Sequence, residues 1–517
     1  MWHCASCLGA RTRVSGDADD SHGEECPADI PAALAKLRSS VTVYRRIPKP
    51  ARVAVADGLA RRINEAVVSD SNVNWWRLLS FAYTVLRAPG PDEEKHGTHA
   101  TIIKRQAAAE AEHGGSNNLQ QTCLSTKHPK SVKERPVSPN PCQGISSTHD
   151  SDFKIARRVE SKCADGDIGG ALRVLVSTEQ IAVPSDEVVA ALRRKHPPAP
   201  GDVVMPPAPT DADPSPLMVT TDQVRRTILS MPTGSSGGLD GVRPIHLQQL
   251  TAAESAEAGM RLLASLASLS NLILAGKVPQ CARDALFSAS LCALRKKDGG
   301  IRPIAVGSTL RRLPARIAAH VAADLLGHEF RPVQLGVGTQ LGCEAAVHGV
   351  REFVSRSEEE TTRVVVKVDV KNAFNSVRRD VILSRIRDRC PALYPMVYQA
   401  YASPTPLLFG DEKILSATGV QQGDPLGPLC FALAVDRCAR SLTAPLNVWY
   451  LDDATLGGSV AQVTADLKTI ISAFQTIGLQ LNPSKCEVTV LNKPDESPSK
   501  LQCRRCERYS PTSQRRR

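Results

Sequence analysis

Val448-Trp449-Tyr450-Leu451-Asp452-Asp453-Ala454-Thr455-Leu456 is the stretch whose reading decides the fold. Its flanks, 448–450 and 454–456, are short strand-like runs, so the two adjacent acids fall at a hairpin tip. Adjacent carboxylates repel one another. A solvated turn tolerates that cost, whereas an apolar setting relieves it best with divalent cations, and Mg²⁺ prefers a few carboxylates plus substrate phosphates. The string Tyr-x-Asp-Asp is weak by itself, so its surroundings carry the argument.

Upstream, Arg363-Val364-Val365-Val366-Lys367-Val368-Asp369-Val370 is β-branched enough for a buried strand and ends on an acid. Asp369 could be no more than a cap for a helix over 376–390. Between the acids, Thr418-Gly419-Val420-Gln421-Gln422-Gly423-Asp424-Pro425-Leu426-Gly427-Pro428 is a Gly/Pro-rich turn leading into an apolar helix over 429–439. Gly423 permits close backbone approach and Pro425 suits a first helical turn; the alternative is an ordinary loop before a core helix. Downstream, Val463, Leu467, Ile470, Phe474 and Ile477 share a helical face, Gly478 supplies a C-cap, and 479–487 leads into a strand. The order strand, helix, helix, hairpin, helix, strand predicts an α+β fold with a split βαβ antiparallel sheet carrying acids on one face.

The rest of the chain supports a polyanion-binding body. Its 517 residues exceed one core, and 64 Lys and Arg against 53 Asp and Glu give a net charge of +11, which makes nucleic acid the first candidate partner. Charge alone also suits a merely soluble basic protein. Helix and strand patterns alternate evenly from Val219 to about Leu491, with a helical block at 59–88 and a small helical module at 151–196. Residues 89–150 read as a disordered linker, 197–218 as a Pro-rich linker and 492–517 as a disordered basic tail. No run approaches the roughly 18–20 apolar residues of a membrane helix, so no membrane partner is expected. Fifteen scattered cysteines and no charged-then-apolar leader at Met1-Trp2-His3-Cys4 predict reduced thiols in an intracellular protein, nuclear or cytoplasmic and not secreted. Within 1–58, a segment otherwise read as flexible, Cys4-x-x-Cys7 and His22-x-x-x-Cys26 have types and spacings compatible with four-coordinate Zn²⁺, although the loop between them lacks the small core of a finger. Cys503-x-x-Cys506 has no partner pair and is read as no site.

From Gly237 to about Val490 the chain resembles the fingers (219–345) and palm (346–491) of non-LTR retrotransposon reverse transcriptases. Gly237-Gly238-Leu239-Asp240-Gly241-Val242-Arg243-Pro244 is similar to the family's opening motif and Lys296-Lys297-Asp298-Gly299-Gly300-Ile301-Arg302-Pro303-Ile304 to its basic fingers motif. Asp369 through Phe374, Gln422 through Leu426, Tyr450 through Asp453 and Gly478 through Lys485 then follow in the order of its palm motifs. Leu451 stands where the family usually carries a small residue, often Ala. The family also continues into a helical thumb, so the resemblance predicts a chain cut short after the palm.

The resemblance implies an RNA-directed DNA polymerase acting on an RNA template, a DNA primer and deoxynucleoside triphosphates. Asp369 and Asp452 would bridge two Mg²⁺ ions, for which Mn²⁺ can substitute, with Asp453 a supporting third acid. It assigns Lys296, Lys297 and Arg302 to the triphosphate, Phe374 to the sugar, Gln422 and Gly423 to the same pocket, and Lys485 to proton donation toward pyrophosphate. The alternatives are a solvated basic hairpin for the fingers cations, plain core for Phe374 and surface exposure for Lys485. Arg311, Arg312 and Arg316 are expected along template phosphate, a contact weakened by salt. The rival function is a catalytically inactive nucleic-acid-binding relic; a maturase or telomerase-like enzyme ranks lower.

Overall fold

The computed structural model describes residues 26–89, 97–113, 148–164, 166–177, 180–252, 256–296, 298–356 and 362–491. The chain opens with α1 (Ile30–Ser40), α2 (Arg52–Val68), α3 (Asn72–Val85) and α4 (His99–His113). Val55, Leu59 and Ile63 of α2 and Trp75, Leu78, Leu79 and Ala82 of α3 are all buried, at the three-to-four spacing that makes one apolar face. That face joins the main core, shared with the helix Ala256–Leu274 and with the domain downstream. Helical structure thus reaches back into 26–58, which the sequence reading treated as flexible. It also enters the expected linker 89–150. There α4 buries Ile102, Ile103 and Ala107, and Arg62 pairs with the Glu110 carboxylate while donating to its carbonyl at 2.8 Å. An alanine-rich helix among polar neighbours has too weak a periodic signal to stand out in composition.

Two further helices, α5 (Thr148–Ala164) and α6 (Ile168–Val176), precede β1 (Gln180–Ile181) and α7 (Asp186–Lys195). Ser185 caps α7, accepting from Val188 N at 3.3 Å; two acids open the helix and three basic residues close it, complementing its dipole. Val188 and Leu192 are fully buried in a second core with Ala289, Leu291, Ala293 and Ile301. At roughly 1.5–3 kcal/mol for each such side chain, this docking fixes α7 onto the sheet described next.

After α8 (Thr221–Ser230), α9 (Pro244–Leu250), α10 (Ala256–Leu274) and α11 (Gln280–Phe287) comes a hairpin of β2 (Ala289–Arg295) and β3 (Ile301–Gly307), registered from Ala289 opposite Gly307 to Arg295 opposite Ile301. Gly299, at φ +78°, turns it. Then α12 (Thr309–Phe330) and α13 (Gly342–Ser355) lead to β4 (Arg363–Val368), α14 (Ala373–Ser376), α15 (Arg379–Arg389) and α16 (Tyr394–Tyr401). The chain continues as β5 (Thr405–Phe409), β6 (Glu412–Ser416), α17 (Gly427–Arg440), β7 (Leu446–Tyr450), β8 (Asp453–Ser459), α18 (Val460–Thr476) and β9 (Glu487–Leu491).

Mixed α/β architecture is therefore present, with two sheets. One runs β7-β8-β4-β9 with every pair antiparallel; Val366 on the central β4 faces Leu456 on one side and Val488 on the other. Val364, Val366 and Val368 bury into the same core as α17 and as Val463, Ile470 and Phe474 of α18. The other sheet joins β1, β2 and β3 to β5 and β6, an addition the expected element order lacked, as it lacked α16. Residues 197–218 have no regular structure but are not a free linker. Thr418 Oγ1 donates to the Pro197 carbonyl at 3.3 Å, Tyr394 to Pro207 at 2.5 Å, and Arg378 and Arg387 pair with Asp202 and Asp213 at 2.7 and 2.9 Å. Prolines forbid continuous ladder bonding, so the strap is held by side chains from elsewhere and by Leu217 N donating to Ala392 O at 2.9 Å.

Candidate active site

The acids of the hairpin tip are fixed by an unusual turn. Tyr450 pairs with Asp453, leaving Leu451 and Asp452 as a two-residue loop, and Leu451 adopts φ +58°. Tight hairpins demand left-handed backbone, which costs a non-glycine residue roughly 1 kcal/mol or more. Buried Gln334 offsets this: its Oε1 accepts from Leu451 N at 2.8 Å and its Nε2 donates to Leu451 O at 3.3 Å. The flanking backbone is bonded as well, Trp449 N to Val333 O at 2.7 Å and Leu335 N to Trp449 O at 2.8 Å. Leu451 itself packs where a Cβ on Gly336 would collide with it at 2.7 Å, so this loop accommodates the bulkier residue only beside a glycine.

Asp369 follows the last residue of β4 and is gripped by Asn482. Asn482 N donates to Asp369 O and Asn482 Nδ2 to Asp369 Oδ1, both at 2.8 Å, while Lys371 N donates to Gln480 O at 2.8 Å. Gly478 at φ +79° ends α18 and lets the chain return along β4 to make these bonds. The Gln422–Asp424 loop is tied to β3, with Ala305 N donating to Gln422 O at 2.7 Å. Gly423 sits at φ +127°, where an added Cβ would lie 2.4 Å from Ala305 O, so glycine is required there for both conformation and approach.

A cavity of about 540 Å³ brings together Asp369, Asp452, Lys296, Arg302, Phe374, Gln422, Gly423 and Lys485. The Asp452 carboxyl is pushed up to about 6, first by burial and then by the neighbouring Asp453 and Asp369. No described Lys or Arg forms an ion pair with Asp369, Asp452 or Asp453. Asp453 begins β8, is exposed and does not line the cavity. Among the described residues no group of three or more His, Cys, Asp or Glu is arranged to hold a metal ion. Two hard-oxygen acids lining one cavity nonetheless fit Mg²⁺, which commonly takes one or two carboxylates and completes its shell with water and phosphate. Phe374 stacks on Phe431, ring centroids 4.9 Å apart. Lys485 pairs with Asp298 of the β2–β3 turn at 3.0 Å, and Asp298 raises its ammonium above the usual lysine value.

Other sequence expectations fare differently. Lys297, Cys4, Cys7 and His22 lie outside the described residues. Cys26 rests against the core and its thiol donates to Asn72 O at 3.5 Å; burial and the nearby Cys281 raise it. Arg311 is not on a template path: it is buried and paired with Asp424 beneath the cavity floor. Arg312 donates to Ser236 O at 2.6 Å. Sequence reasoning missed Asn482 and Gln334, each of which acts by holding an acid-bearing backbone. Asn482 lay inside a quoted motif, and its Asn-Pro step after the Gly478 cap was a turn signal without chemical content. It also missed Lys195, which lines the cavity from the end of α7.

Residues 294–508 match the family described as reverse transcriptase (RNA-dependent DNA polymerase), so the chain carries a reverse transcriptase domain. The chain is similar to proteins of retrotransposable elements. The chain is 27% identical over 298 residues to the retrotransposable element SLACS 132 kDa protein of Trypanosoma brucei gambiense, covering 55% of this chain and 24% of that protein. It is also 27% identical over 298 residues to the Pol polyprotein from the type-2 retrotransposable element R2DM of Drosophila melanogaster, covering 52% and 26%. The chain thus spans about a quarter of the length of these relatives. Among solved structures, apo telomerase from Candida Tropicalis aligns over 40% of this chain and 44% of that one at 11% identity and a TM-score of 0.32, too slight a likeness to argue from. No described helix is long and apolar enough to cross a membrane.

Proposed function

We propose that this chain adds deoxynucleotides to a primer 3′-hydroxyl under the direction of an RNA template. The observation that carries the reading is the convergence of Asp369 and Asp452, from a strand end and a hairpin turn far apart in sequence, with Lys296, Arg302, Phe374 and Gln422 in one cavity. In this reading the sheet β7-β8-β4-β9 is a split βαβ palm within 346–491, and 219–345 supplies the fingers. Asp369 and Asp452 are the ligands of divalent cation. When bound, Mg²⁺ supplies the positive charge that acidifies the primer hydroxyl and offsets charge on the phosphoryl oxygens.

The chain's own residues do the rest. Lys296 and Arg302 orient the triphosphate, the arginine by its planar fork and the lysine as a mobile charge. The Phe374 ring, braced by Phe431, faces the sugar and disfavours a 2′-hydroxyl. Lys485, an ordinary ammonium at neutral pH once released from its 3.0 Å ion pair with Asp298, donates toward the pyrophosphate. Primer extension by the full chain on an RNA template, with Mg²⁺ and four deoxynucleotides, tests the proposal. Template-length product that disappears with chelator and with Asp369→Asn supports it. RNA binding without any incorporation overturns it in favour of an inactive relic.

Asn482 gives a finer prediction. Because its side chain holds Asp369 Oδ1, while its backbone N–H keeps the carbonyl bond in any variant, Asn482→Ala should lower extension by about 10- to 100-fold, as loss of a group orienting a metal ligand commonly does. The Mg²⁺ concentration for half-maximal rate should rise while primer–template affinity stays constant. An unchanged Mg²⁺ titration would leave Asn482 with a purely structural role.

A further inference from the structure

We propose that Lys195, the last residue of α7, is a further ligand of the incoming nucleoside triphosphate, delivered from a segment upstream of the matched reverse transcriptase domain. The inference rests on the polymerase reading and names one more residue of the same site. Lys195 lines the cavity that holds Asp369 and Asp452, and also an adjoining one of about 770 Å³.

Three observations separate it from an ordinary basic residue at a helix end. First, its position is built. The Lys195 carbonyl accepts from Asn372 Nδ2 and Asn375 Nδ2, both at 3.0 Å, so the segment following Asp369 holds the end of α7 in register with the acids. Second, a neighbour on the same helix behaves differently. Arg193 points outward and pairs with exposed Glu412 at 2.7 Å, whereas Lys195 is half-buried and pairs with no described acid. Third, it joins Lys296, Lys371 and Lys485 around the cavity that Arg302 also lines, four lysines contributed by four separate segments.

Around Lys195 itself the neighbouring lysines outweigh the acids. Burial, and then Lys296, Lys485 and Lys371, hold the Lys195 ammonium below its usual value. A triphosphate reverses that balance, adding several negative oxygens that accept from each ammonium. Its location also discriminates between phosphates. Lys195 shares its cavity with the two acids and with Lys296 and Arg302, where in the polymerase reading the reacting phosphates lie.

The test compares wild type, Lys195→Ala and Lys195→Arg as full chains, reading primer-extension kinetics and the direct affinity for a fluorescent deoxynucleoside triphosphate displaced by inorganic tripolyphosphate. Lys195→Ala should raise the nucleotide KM and weaken triphosphate binding by about tenfold or more, with kcat changed far less. Lys195→Arg should recover most of both. Because the two asparagines bond the Lys195 carbonyl, side-chain truncation leaves that anchor in place, and thermal unfolding should be unchanged. Wild-type KM and triphosphate affinity in Lys195→Ala, or a defect confined to RNA affinity, overturns the inference while leaving the polymerase reading intact. A wild-type chain that neither extends a primer nor binds the triphosphate overturns both.

Discussion

Asp452→Asn is expected to abolish primer extension and at the same time to stabilise the protein measured without metal. Loss of a metal ligand removes several kcal/mol of transition-state stabilisation, and at about 1.4 kcal/mol per tenfold the rate should fall by roughly 10³-fold or more. The stability change has the opposite sign. Burial and the two neighbouring acids raise the Asp452 pKa to about 6, so the folded state holds its proton more tightly than the unfolded chain does. Folding is therefore penalised as pH rises from the unfolded value near 4 through about 6, and the penalty is complete above that. An amide removes it. After discounting for partial exposure, the variant should gain on the order of 1–2 kcal/mol at pH 7 in chelator, shrinking to nothing below about pH 4. Denaturant unfolding at pH 4 and pH 7 reads the difference directly. Equal stabilities at pH 7 would mean that Asp452 is well solvated and that the two acids do not sense one another. Asp453→Asn is the informative companion, because Asp453 is exposed and outside the cavity. If it loses as much activity as Asp452→Asn, the site needs a third carboxylate that enters only when metal binds.

What the sequence made legible was the part whose local chemistry is periodic. The β-branched run ending at Asp369, the hairpin around Asp452 and the helical face Val463–Phe474 announce themselves because a β-branched strand with one face in the core, a tight turn and an amphipathic helix each restrict residue choice over consecutive positions. Contacts made across long separations left no such trace. Asn482 and Gln334 act through single hydrogen-bonding side chains, for which any polar residue looks alike in sequence. The strap 197–218 reads as a linker because its partners are Arg378, Arg387, Tyr394 and Thr418, all at least 174 residues away. The β5–β6 hairpin did carry a signal, Gly410 between two short apolar runs, but two five-residue strands compete poorly with the helical patterns on either side. Charge misled most. A basic cluster on α12 suggests a phosphate track, yet periodicity puts Arg311 on the face that turns inward.

That burial makes Arg311→Met the most destabilising substitution expected near the site. Arg311 and Asp424 are each about 3% exposed as side chains, and the guanidinium also donates to Phe287 O at 2.9 Å and to Gln421 Oε1 at 2.8 Å while lying over the Phe287 ring. Asp424 accepts further bonds from Tyr401 OH at 2.6 Å and Leu426 N at 3.0 Å. Removing the arginine leaves a carboxylate about 3% exposed with only those two donors, and an uncompensated buried charge costs about 3–5 kcal/mol. The loss need not reflect a strong pair. Replacing both partners, as in Arg311→Met with Asp424→Asn, should cost far less than the sum of the single changes, because no charge is then stranded. Denaturant midpoints for the four proteins close the cycle. Activity should follow the stability, since Gln421, Gln422, Gly423 and Asp424 all line the cavity and the arginine holds the first and last of them. The opposite pattern, full stability with weakened and less salt-sensitive RNA binding, would return Arg311 to the template path that its sequence suggested.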